Sequence, residues 1–391
     1  MSRWPRVTLG KLIKPIERRV VVIPEQKYKL LGVRWYAQGL FIKEEKSGFD
    51  VRAPHLYKVE SGDFVYSRLF AWKGSFANAT EIEHGCYVSN EFPCFHPTNR
   101  IDPSFLLWYF SREIAWSEAL GLSSGATPTS RNRLSEAKFL GMLIPLPSLE
   151  EQHSIIARLD AVADKARQVD AKLDGIEADA EHLLAIRFRK IIEGAEWRTM
   201  AEVAPLVRRE LEVDLESSYP ELGIRSFGKG TFHKPPLAGA DVGSKRLFSI
   251  EQGDLLFSNV FAWEGAIAVA KHQDVGRFGS HRFISCVADP GMVSPEFLRY
   301  YFLTPEGLEK IGEASPGGAG RNRTLGLEKL MALQVPIPKL AKQQAFDNLQ
   351  TKLAEMKAKH AETRQALKAL LPSMLEQIFH NDPLEIPFEC G

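Results

Sequence analysis

An internal duplication constrains this chain more than any other feature. Gly62-Asp63-Phe64-Val65-Tyr66-Ser67-Arg68-Leu69-Phe70-Ala71-Trp72-Lys73-Gly74 returns as Gly253-Asp254-Leu255-Leu256-Phe257-Ser258-Asn259-Val260-Phe261-Ala262-Trp263-Glu264-Gly265, an offset of 191 residues. Gly32-Val33-Arg34 recurs as Gly223-Ile224-Arg225, and Pro145-Leu146-Pro147 as Pro336-Ile337-Pro338, at the same offset. Arg131-Asn132-Arg133 returns as Arg321-Asn322-Arg323 at an offset of 190, so the drift is a residue of loop. A repeat this long is a domain, since solenoid periods run at roughly 20–50 residues. The duplication predicts a pseudo-two-fold symmetric object doing one task at two places.

The chain has 391 residues, and each half is long enough to bury its own core. Four cysteines without close paired spacing point to a reducing compartment, and no apolar run approaches a membrane span, so a cytoplasmic protein is expected. Net charge is only +1, but residues 1–149 hold 20 basic against 14 acidic side chains. A non-specific nucleic-acid binder is usually more basic than this. A base-reading module with modest phosphate contacts remains compatible.

Each globular half is α+β and ends in a long helical segment. Pro145 and Pro147 mark an extended linker, and Ser148-Leu149-Glu150-Glu151 behind them is a capping box. Ile155, Leu159, Val162, Ala166, Val169, Leu173, Ile176, Ala180 and Leu183 then alternate in heptad steps. Phe346, Leu349, Leu353, Met356, His360, Thr363, Leu367, Leu370 and Met374 repeat the pattern, with a weaker cap at Lys339 and Lys342 and a kink or restart expected at Pro372. Two such stripes with a globular unit between them predict an antiparallel intramolecular pair, the first helix spanning roughly 60 Å. The expected segments are 1–147, 148–194, 195–338, 339–380 and a tail over 381–391.

No phosphate-binding loop, His-Glu-x-x-His, Cys-x-x-Cys or Gly-x-Ser-x-Gly elbow occurs, so neither a catalytic residue nor a metal site is expected. The candidate contacts are nucleic-acid chemistry. Arg131, Asn132 and Arg133, with Arg321, Asn322 and Arg323, lie in polar Gly/Ser/Thr-rich loops, and Arg suits guanine or phosphate while Asn suits adenine. Arg68 faces Asn259 and Lys73 faces Glu264, exchanges that would change the base sought. Arg34 with Arg225, and Ser67 with Ser258, match between halves and suit a shared task such as phosphate positioning. Trp72 and Trp263 read better as core than as stacking groups.

Two units of about 150 residues, each closed by a Pro-x-Pro step, a Leu149-Glu150-Glu151-Gln152 or Leu340-Ala341-Lys342-Gln343 run and a heptad helix, resemble the specificity subunit of type I restriction-modification enzymes. The resemblance covers nearly the whole chain. It implies two target-recognition domains, each reading one half of a split asymmetric sequence in double-stranded DNA. It also implies helices that set the gap between the halves and dock two modification (methyltransferase) subunits, to which restriction (motor-nuclease) subunits can be added. Ile155, Leu159, Val162, Leu173, Leu349, Leu353, Leu367 and Leu370 are the helix residues assigned to pairing and docking. S-adenosylmethionine, ATP and Mg would belong to the partners, leaving this chain without cofactor or catalysis. The competing expectation is a repeated-domain protein scaffold with a structural coiled coil.

Overall fold

In the computed structural model, residues 4–125, 132–317 and 323–379 are described. The chain forms two compact units, Met1–Leu173 with Ala361–Gly391, and Asp174–His360. They are referred to as unit 1 and unit 2.

Unit 1 carries three sheets. Arg6–Thr8 pairs with Leu143–Pro145, so the first Pro-x-Pro step is the end of an edge strand rather than a free linker. A four-stranded sheet runs in the order Ile13–Ile16, Cys94–Pro97, Phe64–Tyr66, Phe76–Asn78. A five-stranded sheet runs Arg19–Val21, His55–Lys58, Tyr87–Val88, Lys27–Val33, Leu40–Ser47. Unit 2 repeats this order strand for strand, ending in the hairpin Ser218–Ile224 and Thr231–Ala238. Even the parallel pairing recurs, Leu30 against Tyr87 and Glu221 against Phe278.

The strands Phe64–Tyr66 and Leu255–Ser258 are buried because apolar residues occupy both faces, as a central strand between layers requires. In unit 1 the layer beside that sheet is the helix Pro103–Phe110, started by Asp102, whose carboxylate accepts from Ser104 N at 2.7 Å. Proline at its first turn removes one amide that would have no intrahelical partner. In unit 2 the helix Pro295–Leu303 begins the same way from Ser294.

Two long helices, here called rods, cover Leu149–Ile192 and Leu340–Phe379. The capping box at the first is formed, Ser148 N donating to Glu151 Oε2 at 3.1 Å and Glu151 N to Ser148 Oγ at 3.3 Å. Within unit 2 the end of the first rod meets the start of the second. Phe188 packs on Phe346 with ring centroids 5.4 Å apart, Glu177 meets His360 at 2.8 Å, and Glu181 pairs with Lys357. Within unit 1 the reverse ends meet: Arg364 Nε donates to Asp170 at 2.9 Å, and Leu375 joins Ile155 and Leu159 in the core. In both units the rods therefore run antiparallel.

Each globular core is thus closed by the start of its own rod and the end of the other. Phe188 stacks on Phe297 and Tyr300 at 5.2 and 4.8 Å in unit 2. Phe379, 191 residues on, meets Phe105 and Tyr109 at 5.5 and 5.4 Å in unit 1. That packing explains why Pro372 does not end the second rod, which continues to Phe379. Leu371, Met374, Leu375, Ile378 and Phe379 all join the unit 1 cluster, and burying them outweighs the roughly 3 kcal/mol that an interior proline costs a helix.

The heptad seam drifts. Ile176 and Leu183, on the expected stripe, are 48% and 65% exposed, while Glu177, Ala180 and Leu184 turn inward. A helix of 3.6 residues per turn slips about 20° per heptad against a 3.5-residue repeat, which moves the contact line to new positions.

Candidate nucleic-acid interface

In each unit three loops converge on one corner. The first is the tip of the long hairpin, residues 34–39 in unit 1 and 225–230 in unit 2. The second is a 3-10 turn, Ala71–Lys73 or Ala262–Glu264, closed by Gly74 or Gly265 at φ 70° and 77°. The third is the stretch before the next short helix, residues 132–135 in unit 1 and 323–326 in unit 2.

Paired backbone bonds dock the tip on the turn. Tyr36 N donates to Lys73 O at 2.8 Å and Ala37 N to Gly74 O at 2.7 Å; Phe227 N donates to Glu264 O and Gly228 N to Gly265 O, both at 2.8 Å. Gly74 is required for close approach as well as for φ, since a Cβ there would lie 2.3 Å from the Trp116 ring. The third loop joins through Leu134 N donating to Arg68 O at 2.9 Å, and Leu325 N to Asn259 O at 2.8 Å.

Arg34 and Arg225, expected on phosphate, are exposed residues that also clamp the hairpin neck. Arg34 lies 5.0 Å above the Phe41 ring and donates to Leu40 O at 2.8 Å; Arg225 lies 4.9 Å above Phe232 and donates to Thr231 O at 2.7 Å. Gly32 and Gly223 leave room for those two rings.

Arg68 is ion-paired with Glu136, and its counterpart Asn259 donates to Leu325 O at 3.2 Å. The exchange at this position is thus matched by its own loop. Ser67 is buried, and Ser258 Oγ accepts from Phe261 N at 3.3 Å. Asn132 is buried, Arg133 is half-exposed and paired with Glu91, and Arg323 lies 5.3 Å above the Trp263 ring. Arg131, Arg321 and Asn322 lie outside the described residues. Trp72 and Trp263 are partly buried, their indole nitrogens donating to Leu69 O and Val260 O at 3.0 and 2.9 Å.

Lys73 and Glu264, both partly exposed, are the swap that lies beside the hairpin tip. Lys73 Nζ sits 3.8 Å above the Trp35 ring, whereas Glu264 accepts from Ser226 Oγ at 3.0 Å. Trp35 and Tyr36 were not among the sequence candidates, though two aromatics between the turn signals Gly32 and Gly39 were the available clue.

Two buried ion pairs were also missed. Arg18 grips Asp63 through both guanidinium nitrogens at 2.5 and 3.2 Å, and Arg209 grips Asp254 at 2.7 and 3.1 Å. Both carboxylates are almost wholly buried, and the arginine pKa values rise because the carboxylate hydrogen bonds favour the charged form. These pairs brace the turns before the repeated strands and offer no chemistry.

Burial pushes the Cys94 and Cys286 thiols up to about 12, so neither supplies a thiolate nucleophile near neutral pH. Among the described residues no cluster of three or more His, Cys, Asp or Glu is placed to hold a metal ion, and no helix is long and apolar enough to cross a membrane.

Of the rod candidates, Ile155 and Leu159 are buried in the unit 1 core, while Val162, Leu173, Leu353 and Leu367 are partly buried. Leu349 and Leu370 are 42% and 41% exposed. In unit 2 Leu183, Leu184, Leu349, Leu353 and Met356 line an apolar groove of about 440 Å³ edged by Arg187 and Lys352.

Residues 55–178 match the family model of the type I restriction modification DNA specificity domain. A search of curated proteins finds no match. Among solved structures, the HsdS subunit from Thermoanaerobacter tengcongensis is 20% identical, with 97% of each chain covered and a TM-score of 0.61. A chain from a structural study of complex assembly and conformational transition of the type I R-M system is 19% identical, covering 97% of this chain and 98% of that one, with a TM-score of 0.69. The specificity-domain model thus matches part of the first half, its framework is repeated strand for strand in the second, and the whole chain shares the fold of the HsdS subunit.

Proposed function

We propose that this chain addresses a type I complex to DNA. Each unit reads one half of a bipartite asymmetric target, and the rods carry two modification subunits. The observation that carries the reading is the three-loop corner, built on identical backbone bonds in both units but presenting Trp35, Tyr36 and Lys73 in one and Ser226, Phe227 and Glu264 in the other. A common scaffold with unlike outward groups is what two readers of unlike sequence need.

The apolar groove on the rods in unit 2 suits a modification subunit, because its leucines and Met356 are open to solvent and flanked by two cations. Methyl transfer with S-adenosylmethionine would belong to that partner, and ATP- and Mg-dependent cleavage to a restriction subunit. The assembly would act on chromosomal and invading DNA in the cytoplasm.

Replacing residues 1–147 with the corresponding domain of a relative, and mapping methylation genome-wide, is expected to change one half of the modified motif and leave the other. Methylation without a bipartite motif, or a motif indifferent to the exchange, would refute the reading. Inserting seven residues into both rods lengthens each by about 10.5 Å, close to three base pairs. Methylated targets should then show a gap longer by about that number; an unchanged gap removes the rods from spacing.

A further inference from the structure

We propose that the two hairpin tips are stacking platforms: the Trp35 and Tyr36 rings in unit 1, and the Phe227 ring in unit 2, lie against DNA bases that are unstacked at the half-sites. The inference rests on the reading of both units as DNA readers and adds a mode of contact to it.

Three independent features of the tips point this way. The first is backbone strain. Among the described residues, the non-glycine residues at positive φ are Tyr36 (58°), Ala37 (52°) and Phe227 (62°), and all lie at these tips. Aromatic residues avoid this region, and such outliers persist only where the surroundings enforce them, commonly at binding sites. Here the enforcing bonds are those from Tyr36, Ala37, Phe227 and Gly228 to the 3-10 turns.

The second is exposure of rings held in place. Trp35, Tyr36 and Phe227 are 40%, 56% and 74% exposed. In unit 1 the rings form a run: Phe70 to Trp35 at 5.6 Å, Trp35 to Tyr36 at 6.4 Å, and Tyr36 to Trp116 at 5.6 Å. Strained backbone that turns aromatic surface into water is not explained by folding. Flat rings fixed in place are suited to bases, since every base offers a π-face.

The third is charge. Each tip has a cation beside an exposed ring: Lys73, from the 3-10 turn, lies 3.8 Å from the Trp35 ring, and Lys229, two residues along the same tip, lies 5.7 Å from the Phe227 ring. An ammonium beside a solvent-facing ring meets the backbone phosphate next to a stacked base. A protein partner's apolar face would gain nothing from it.

The test uses the full chain assembled with its modification subunits and duplexes carrying 2-aminopurine at successive positions of each half-site. The wild-type complex should brighten or quench the probe at a defined position in each half. Trp35→Ala and Tyr36→Ala should abolish the signal in the unit 1 half only and weaken target binding about tenfold to hundredfold, the range of a lost base–aromatic stack. Phe227→Ala should do the same in the other half. Tyr36→Gly separates folding from binding, because it removes the ring and relieves the strain together: thermal stability should hold or rise while affinity falls. Wild-type affinity and probe response in these variants would overturn the inference and leave DNA reading intact, as would weakened subunit assembly with unchanged DNA affinity. A wild-type complex with no sequence-specific binding would overturn both.

Discussion

Phe188→Ala is expected to destabilise unit 2 by about 3–5 kcal/mol, the usual cost of truncating a buried phenylalanine. Phe188 is 3% exposed and meets Phe297, Tyr300 and Phe346 within 5.4 Å, so the cavity is lined by rings that cannot close it. For a unit of this size each kcal/mol is worth about 2–4 °C, so its melting transition should fall by about 10 °C. The residue lies in the first half of the sequence, yet the transition of unit 1 should stay where it is. Differential scanning calorimetry with limited proteolysis to assign the transitions would check this. Loss confined to unit 1, or no shift, would show that the rod end does not close the second domain. Phe379→Ala should produce the reciprocal effect in unit 1, smaller because that ring is only partly buried.

The duplication made the paired rods and two similar α+β units readable from sequence, because an offset of 191, drifting by a residue in loops, transfers framework positions from one half to the other. What it hid is that each core is completed by the other copy's rod. Phe188 and Phe379 sit at that offset, but nothing in a linear alignment says which globular unit either ring enters.

The outward groups were harder to find for a different reason. Matching residues drew attention to Arg34 and Arg225, yet both also clamp the hairpin against Phe41 and Phe232. Identity between copies marks the scaffold. Trp35 and Tyr36 fall where the copies differ, against Ser226 and Phe227, and the proposed reading of two unlike half-sites would place contacts at such positions. Difference alone is not sufficient, as Arg68 shows: its change to Asn259 accompanies replacement of its partner Glu136 by Leu327 at the same offset.

The run after each Pro-x-Pro step holds a residue whose importance its neighbours obscured. The Glu pair of the first copy is lost in the second, but Gln152 persists as Gln343. Both glutamines are fully buried. Gln152 Nε2 donates to Arg100 O at 3.1 Å and Pro147 O at 3.0 Å, while its Oε1 accepts from Asp102 N at 2.8 Å. Gln343 reproduces this on Met292 O at 3.0 Å, Pro338 O at 2.7 Å and Ser294 N at 2.9 Å. One amide thus ties the strand end, the rod and the cap of the core helix together in each unit.

Gln152→Leu keeps the volume and removes the partner of three backbone groups, one buried and two partly buried, so unit 1 should lose about 2–4 kcal/mol, since an unsatisfied buried group costs about 1–3 kcal/mol. Gln152→Glu discriminates further. Its carboxylate can still accept from Asp102 N, but its second oxygen would face two carbonyl oxygens, which raises its folded-state pKa above the unfolded value. A raised carboxyl pKa means the folded state binds the proton more tightly. The penalty is therefore full above the folded pKa and eases as pH falls through it, when the protonated group can donate to one carbonyl. Melting curves of the wild type and both variants across pH 4 to 8, a window in which wild-type glutamine does not titrate, give the comparison. Gln152→Glu should recover toward acid relative to wild type and Gln152→Leu should not; parallel curves for the two would mean that the amide fills space rather than joins the three segments.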